Sequence, residues 1–512
     1  LPVNWFERHV VAHIAPQAAF KRMAAMRAVK AFYEAAEPSR YRKTRRDLRS
    51  ANAQNERAAQ PIRSTARHLD ENFDIASGIL DVLVANTVGT GIQPEPQIML
   101  NSGDPADELN RKLLKLFDDW RFRPEVTWQH EYYASQRLVA RSWFRDGECF
   151  GNRLTGTIPG LDHGTIVPYS LELLESDFVP LDLTDRSRGI IQGVETNAWG
   201  RPRAYWCYKS HPGDTSVTSV DTKRVSAETM MHIAFRKRLH QLRGVSVFAP
   251  VLNRIDDIKE IDESERIAAK VAAAMAGYIK KGSPDTYEAP TEEGQPREMT
   301  FDAGIIFDDL QPGEDIGTID SSRPNNALIP FRDSQLRSTA AGVGASFSSI
   351  SKNYNGTYSA QRQELVEHYM LYQMLAAPIV YNFCQPVWDG FVDAAVMSGA
   401  IEIPAGVDRA TLYDATHTGP AMPWVDPKKE LEAQIMAYKW RFKSRARIIR
   451  ERGDNPDQVN REILRDEQEL DRLGIEIIGD GPVTPEPSPD EEADPVKQAV
   501  AKVRDLRRRG AL

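Results

Sequence analysis

Gly342 to Gln373 reads GVGASFSSISKNYNGTYSAQRQELVEHYMLYQ, and the reading of the whole chain turns on it. The first half is a Gly/Ser/Asn-rich loop in which Gly342, Gly344 and Gly356 permit backbone angles that other residues resist. Ser359 is placed to cap a helix whose apolar residues Leu365, Tyr369, Tyr372 and Leu375 fall three or four apart. Spacing alone gives a loop feeding a core helix.

Working outward, two helical signals follow. Ile379, Phe383, Val387, Phe391 and Ala395 form one stripe, with Cys384, Trp388, Val392 and Val396 beside it. A helix apolar over that width has neighbours on more than one side. Asp426 and Pro427 start the next helix as N-cap and first helical residue, and Leu431, Ile435, Tyr438 and Phe442 repeat like a coiled-coil seam. About twenty residues of helix span roughly 30 Å, so the two suit a pair of struts joined by the irregular module Ile401 to Trp424. A basic segment follows, with Lys443, Arg445, Arg447, Arg450 and Arg452.

Upstream, residues 13–36 read as an amphipathic basic helix, 61–88 as a second helix, and 105–120 and 126–145 as two more. Between Gly147 and Phe235 the period changes to short strands: 149–154, 171–174, 190–196, 204–208 and 232–235. A long helix over 247–280 turns Val251, Ile255, Ile258, Ile261, Ile267, Val271 and Met275 inward. Residues 281–330 are an irregular excursion rich in Pro, Gly, Asp and Glu.

The 512 residues are enough for more than one domain. Net charge is −8, placed unevenly: residues 1–67 carry +9 and the remainder −17. A basic arm on an acidic body gives the two parts different partners. Cys149, Cys207 and Cys384 match neither a zinc spacing nor a disulfide framework, which points to a reducing compartment. No secretory signal opens the sequence. Tyr369 to Trp388 is uncharged over a membrane-spanning length, but its Gln373, Asn382, Gln385, Pro378 and Pro386 fit a buried or intersubunit helix pair better.

Chemistry-bearing patterns fail. Without a Gly-Lys dipeptide no Walker A loop exists, and Gly342-Val-Gly344 lacks the third glycine of a dinucleotide fingerprint. There is no Gly-x-Ser-x-Gly elbow. His130-Glu131 lacks a second histidine, His368 beside Glu364 reads as a surface pair, and Glu172, Glu175 and Asp177 read as a solvated strand edge. No catalytic residue, cofactor or metal is expected.

The order Gly-x-Gly, Ser351-Lys-Asn-Tyr354, Thr357-Tyr-Ser359 and an Arg-bearing helix resembles the lambda-type portal family of tailed bacteriophages. So do Arg63 to Arg67 with Asn72 and Val88-Gly-Thr-Gly-Ile-Gln-Pro94, the Gly193-Val-Glu195 ribbon, and Trp424-Val-Asp-Pro427 with Lys429. The likeness runs from Trp5 to Gly474. It implies an α+β, mostly helical fold with wing, stem, clip and crown-ward helices, assembled as a dodecameric ring in the virion after assembly in the host cytoplasm.

On that likeness the chain divides into a basic arm (1–60), wing and body (61–375), first stem helix (376–399), clip (400–425), second stem helix (426–443), channel loop (444–456), crown-ward helix (457–478) and acidic tail (479–512). Phe383, Trp388, Phe391, Leu431, Ile435 and Tyr438 would meet neighbouring subunits. Asp408, Arg409, Asp414 and His417 would face the terminase, and Lys443, Arg445, Arg447, Arg450 and Arg452 the channel. The implied partners are the terminase large subunit, major capsid protein, scaffold, head-completion and tail connector proteins, and double-stranded DNA passing through without sequence preference. No membrane is implied. Two rivals remain: a monomeric DNA-binding module using the basic arm, and a phage hydrolase without a recognisable motif.

Overall fold

The computed structural model describes residues 48–214, 221–273, 277–281, 314–318, 327–421 and 427–473. The basic helix at 13–36, the Trp424-Val-Asp start signal and the acidic tail lie outside them. The fold is α+β and mostly helical. It forms two compact units, one of residues 1–87 and 116–402, the other of residues 88–115 and 403–512. No described helix is long and apolar enough to cross a membrane.

The first unit opens with α1 (Ala51–Asn72), capped by the Ser50 hydroxyl, and α2 (Asp74–Thr87). The single helix read from sequence breaks at Phe73, whose backbone turns extended (φ −141°). After α3 (Asp107–Trp120), of which residues 116–120 belong to this unit, α4 (Tyr132–Asp146) runs to Gly147, which takes φ +88°. A Cβ there would collide with the Val245 backbone, so only glycine closes this helix without strain. Strands β2 (Glu148–Thr155), β3 (Tyr169–Glu175) and β8 (Met230–Ala234) pair antiparallel in the order β3-β2-β8. A four-stranded antiparallel sheet holds β4 (Ile190–Ile191), β5 (Val194–Thr196), β6 (Pro202–Tyr208) and β7 (Thr222–Ser226) in sequence order.

The long helix is shorter than its pattern. α5 covers Leu252–Ala273, then gives way to β9 (Gly277–Lys281), paired antiparallel with β10 (Glu314–Thr318). Ile255 and Ile258 are buried as expected, but Ile267 is 56% exposed. α6 (Leu328–Val343) returns antiparallel to α5: Arg332 forks onto Asp262 at 2.9–3.0 Å near one end. At the other, a Cβ on Gly342 would collide with Val251. Gly342 is therefore a helix-crossing residue rather than a loop residue.

The opening stretch resolves into the end of α6, a left-handed Gly344 (φ +76°), the short helix α7 (Phe347–Ser351) and then α8 (Tyr358–Ile379). The cap of α8 is Thr357, two residues before the expected Ser359, its hydroxyl accepting from Ala360 N. Glu364 ties the stretch together, accepting from the Ser346 and Ser348 hydroxyls at 2.7 and 2.5 Å. His368 Nδ1 lies 2.9 Å from the Glu364 carbonyl oxygen, so the two residues of the expected pair meet through the backbone of Glu364.

α8 continues through a π turn (Val380–Cys384) into α9 (Gln385–Met397). Pro378 and Pro386, which lack an N–H and crowd the preceding turn, bracket the widened turn. α9 is the centre of the first unit's core. Phe117 packs edge-on against Phe391 (5.2 Å) and Trp388 (5.5 Å), while Trp120 donates to the Tyr169 carbonyl at 2.8 Å. Phe383, Trp388 and Phe391 are all 0% exposed within their own chain. The expectation that they meet neighbouring subunits is corrected: the neighbours on several sides are α3, α4 and the β2–β3 sheet of the same molecule.

In the second unit, β1 (Gln93–Pro96) pairs antiparallel with β11 (Ala415–Thr418). α10 (Pro427–Lys439) has no buried residue. α11 (Arg445–Glu451) and α12 (Pro456–Leu473) follow. The expected loop at 444–456 is thus largely helical, started by the Ser444 hydroxyl accepting from Arg447 N.

Candidate functional site

Helix α10 presents the rest of the expected assembly residues at the surface. Leu431 is 49%, Ile435 44% and Tyr438 56% exposed, with Met436, Trp440 and Phe442 exposed beside them. The seam read from the sequence is therefore an uncovered apolar face. A solvated helix of ordinary kind would place charged residues there.

The basic segment is more committed than its sequence suggests. Arg450 forks onto Glu95, 2.8 Å to each carboxylate oxygen, and so fastens α11 to β1. Lys443 and Arg447 converge on Glu451 at 2.6 and 3.2 Å. Arg445 and Arg452 are exposed. A continuous row of five presented cations does not exist; Arg450 in particular is a structural residue.

The expected clip residues sit on a small folded module. Asp408 caps a short turn through Ala410 N, and its own N–H donates to Met99 O. The Asp414 carbonyl accepts from Gln97 N, and His417 stands opposite Pro94. Arg409 and Asp414 are exposed, whereas burial holds His417 down at about pH 4, well below the usual imidazole range. The segment 93–101, not foreseen from sequence, is an integral part of this module.

Sequence reading also missed a buried ionic centre in the first unit. Glu148, fully buried, accepts from Arg243 (2.7 Å), His232 Nε2 (3.0 Å), Arg63 (3.2 Å) and Gly244 N (2.8 Å). Arg243 spends its remaining donors on the carbonyls of Gln192, Ser176 and Val179. Burial opposes ionisation of Glu148, but Arg243 and His232 outweigh it and hold its carboxyl well below the usual range. Burial likewise holds His232 down at about 4, partly offset by Glu148, so near neutral pH it is an uncharged donor. Outward from this centre Arg67 bridges Asp146 and Asp177. Of the carboxylates read as a solvated edge, Asp177 is anchored by Arg67 and Glu172 is held by Lys223 and Asn152, while Glu175 is exposed.

Glu175, Asp177 and His211 approach one another as metal ligands do. Arg67, 3.4 Å from Glu175 and 2.5 Å from Asp177, already supplies the positive charge there. A further cation would meet that guanidinium. The arrangement is an ion network.

Residues 37–375 match the family model described as phage portal protein, lambda family. The chain belongs to the lambda family of phage portal proteins. It is 25% identical to the probable portal protein of Halomonas phage phiHAP-1 over 81% of this chain and 82% of that one. It is 19% identical to portal protein B of Escherichia phage lambda over 46% of this chain and 49% of that one. Among solved structures it is similar to a chain from the virion of a native gene transfer agent particle, at 13% identity and a TM-score of 0.44. That match covers 75% of this chain and 91% of the other. A chain from the neck of an empty gene transfer agent particle matches at 13% identity and a TM-score of 0.45, covering 80% and 94%. The lambda-type portal motifs read from the sequence thus have their explanation.

Proposed function

We propose that copies of this chain form a ring at one vertex of a phage head, the channel through which duplex DNA is packaged and ejected. The ring docks the terminase during packaging and connector proteins afterwards. Family membership supports the portal role. The observation that carries the ring is α10: an entire helix with its apolar seam uncovered, in a chain whose first unit already has a closed aromatic core. A repeated copy can cover it, and a head-to-tail contact that closes makes a ring.

The strut role passes from 376–399, which is core, to a different pair. α5 and α6 run antiparallel, fastened by Arg332 and Asp262, and the hairpin β9–β10 lies between them in the chain. At 22 residues α5 is about 33 Å long, and Ile267 is exposed on its far half. This geometry suits a stem with a docking module at its end. The 93–101/403–418 module is a second docking surface. DNA passes untouched chemically. Duplex DNA carries one charge per ~1.7 Å, so a wall rich in free cations would retard it; Arg450 is neutralised by Glu95, and Lys443 and Arg447 share the one carboxylate of Glu451, so this segment offers fewer free cations than its five basic residues suggest.

Sedimentation velocity of the purified chain tests the proposal. A particle many times 57.6 kDa is expected; a lone monomer at micromolar concentration contradicts it.

A further inference from the structure

A cleft of about 1040 Å³ opens in the first unit between β6–β7 and the α8–α9 run. Arg153, Arg201, Arg203, Arg224 and Arg236 line it, against the carboxylates of Glu228 and Asp389. Three of the five arginines are engaged: Arg153 with the carbonyls of Pro386 and Glu228, Arg224 with Glu195, Arg236 with Leu242 O and His232. Arg201 and Arg203 are exposed and form no side-chain ion pair among the described residues.

Tyr381, 78% exposed, also lines the cleft. From it an uncovered stripe runs back along α8 through Met374 (71%), Met370 (67%) and Val366 (41%). These residues share one helix face over roughly 22 Å, with Glu367 the one formal charge beside them. The surface is an apolar track ending in the exposed cations Arg201 and Arg203, and it fits a helix that is apolar on one face and acidic along it.

The chain contains such a helix. In α12, Val459, Ile463, Leu470 and Leu473 recur four, seven and three apart and lie on one face. Glu462, Asp466 and Glu467 lie on or beside that face, while Arg461, Arg465 and Arg472 fall on the opposite side. Pro456 is its one buried residue, and the ten residues ahead of Asp466 run about 15 Å, enough to cover the track from Tyr381 back to about Met370. The other uncovered helix, α10, carries Lys428, Lys429 and Lys439 against Glu430 and Glu432 and lacks the acidic character.

We propose that α12 of one copy lies along the α8 track of a second copy, with Asp466 and Glu467 facing Arg201 and Arg203. The contact joins two different faces, the heterologous kind that a ring requires. It rests on the ring reading above and names which surfaces make the ring.

The experiment compares full-length variants by native mass spectrometry, with thermal unfolding to confirm that each still folds. Arg201→Glu/Arg203→Glu and Asp466→Arg/Glu467→Arg each place like charges together, and each is expected to lower the assembled fraction about tenfold or more. Combining all four substitutions restores opposite charges, so assembly should return to near the parent's level. Met370→Lys, at an exposed helical position, should weaken assembly without lowering the melting temperature. A parent ring indifferent to the charge reversals, or reversals that fail to rescue one another in folded protein, overturns this contact and leaves the ring reading standing. A parent that never assembles overturns both.

Discussion

At the scale of single residues the decisive feature is Glu148. Three cationic or donor side chains and one backbone N–H converge on it in a site closed to water. Removing its charge strands Arg243 and Arg63. Glu148→Gln should therefore cost about 3–5 kcal/mol in unfolding free energy, read by urea titration. pH acts in the same direction. The unfolded state binds more protons than the folded one at both groups, because His232 is depressed to about 4 and Glu148 is depressed below its ordinary range. Stability is then fully present above pH 6.5 and falls as pH drops from there through 4. His232→Gln should flatten the part of that fall above pH 4.5. The thiols give a second residue-scale check. Cys149, Cys207 and Cys384 are buried, and burial pushes Cys207 up to about 11 and Cys384 to about 12. Native protein should not react with a thiol reagent at pH 8, and denatured protein should release three equivalents. None of this centre was legible beforehand. Arg63, Glu148 and Arg243 are 85 and 95 positions apart in the chain, and no local spacing signals such a pairing.

At the scale of elements, periodicity gave most types and fewer neighbours: residues 277–280, expected helical, are strand β9, and the expected loop at 444–456 is largely helical. The double stripe on 379–396 does mean burial on several sides, yet the covering surfaces come from the same chain, because apolar spacing reports that a face is covered and not by whom. Boundaries moved where chemistry outside the apolar pattern acted. An extended Phe73 splits one expected helix, and two prolines widen the turn between α8 and α9. Most strands between 148 and 234 were legible because alternation and turn residues agree there, but β7 went unread and the expected strand 190–196 is the pair β4 and β5. The distinction between α9 and α10 is testable. Trp388→Ala should cost about 3–5 kcal/mol of unfolding free energy through cavity formation. Tyr438→Ala, at a 56% exposed position, should leave the isolated chain's stability within about 0.5 kcal/mol. Assembly should respond in the opposite order once folded protein is compared by light scattering. Arg450→Ala should loosen the second unit, since it strands the nearly buried Glu95.

At the scale of the whole molecule, the family was legible from short motifs spread along the chain. What those motifs could not supply was which faces are left over once each unit has closed its own core. That is a property of packing and appears only when the α8 track, the α10 seam and the α12 face are seen uncovered together. A protein this size with three uncovered apolar helix faces is poorly explained as a finished monomer. The most direct measurement is electron microscopy of the purified chain viewed end-on. The account predicts closed rings with a central opening wide enough for duplex DNA; solitary particles with no opening, at concentrations where the protein remains folded, would contradict it.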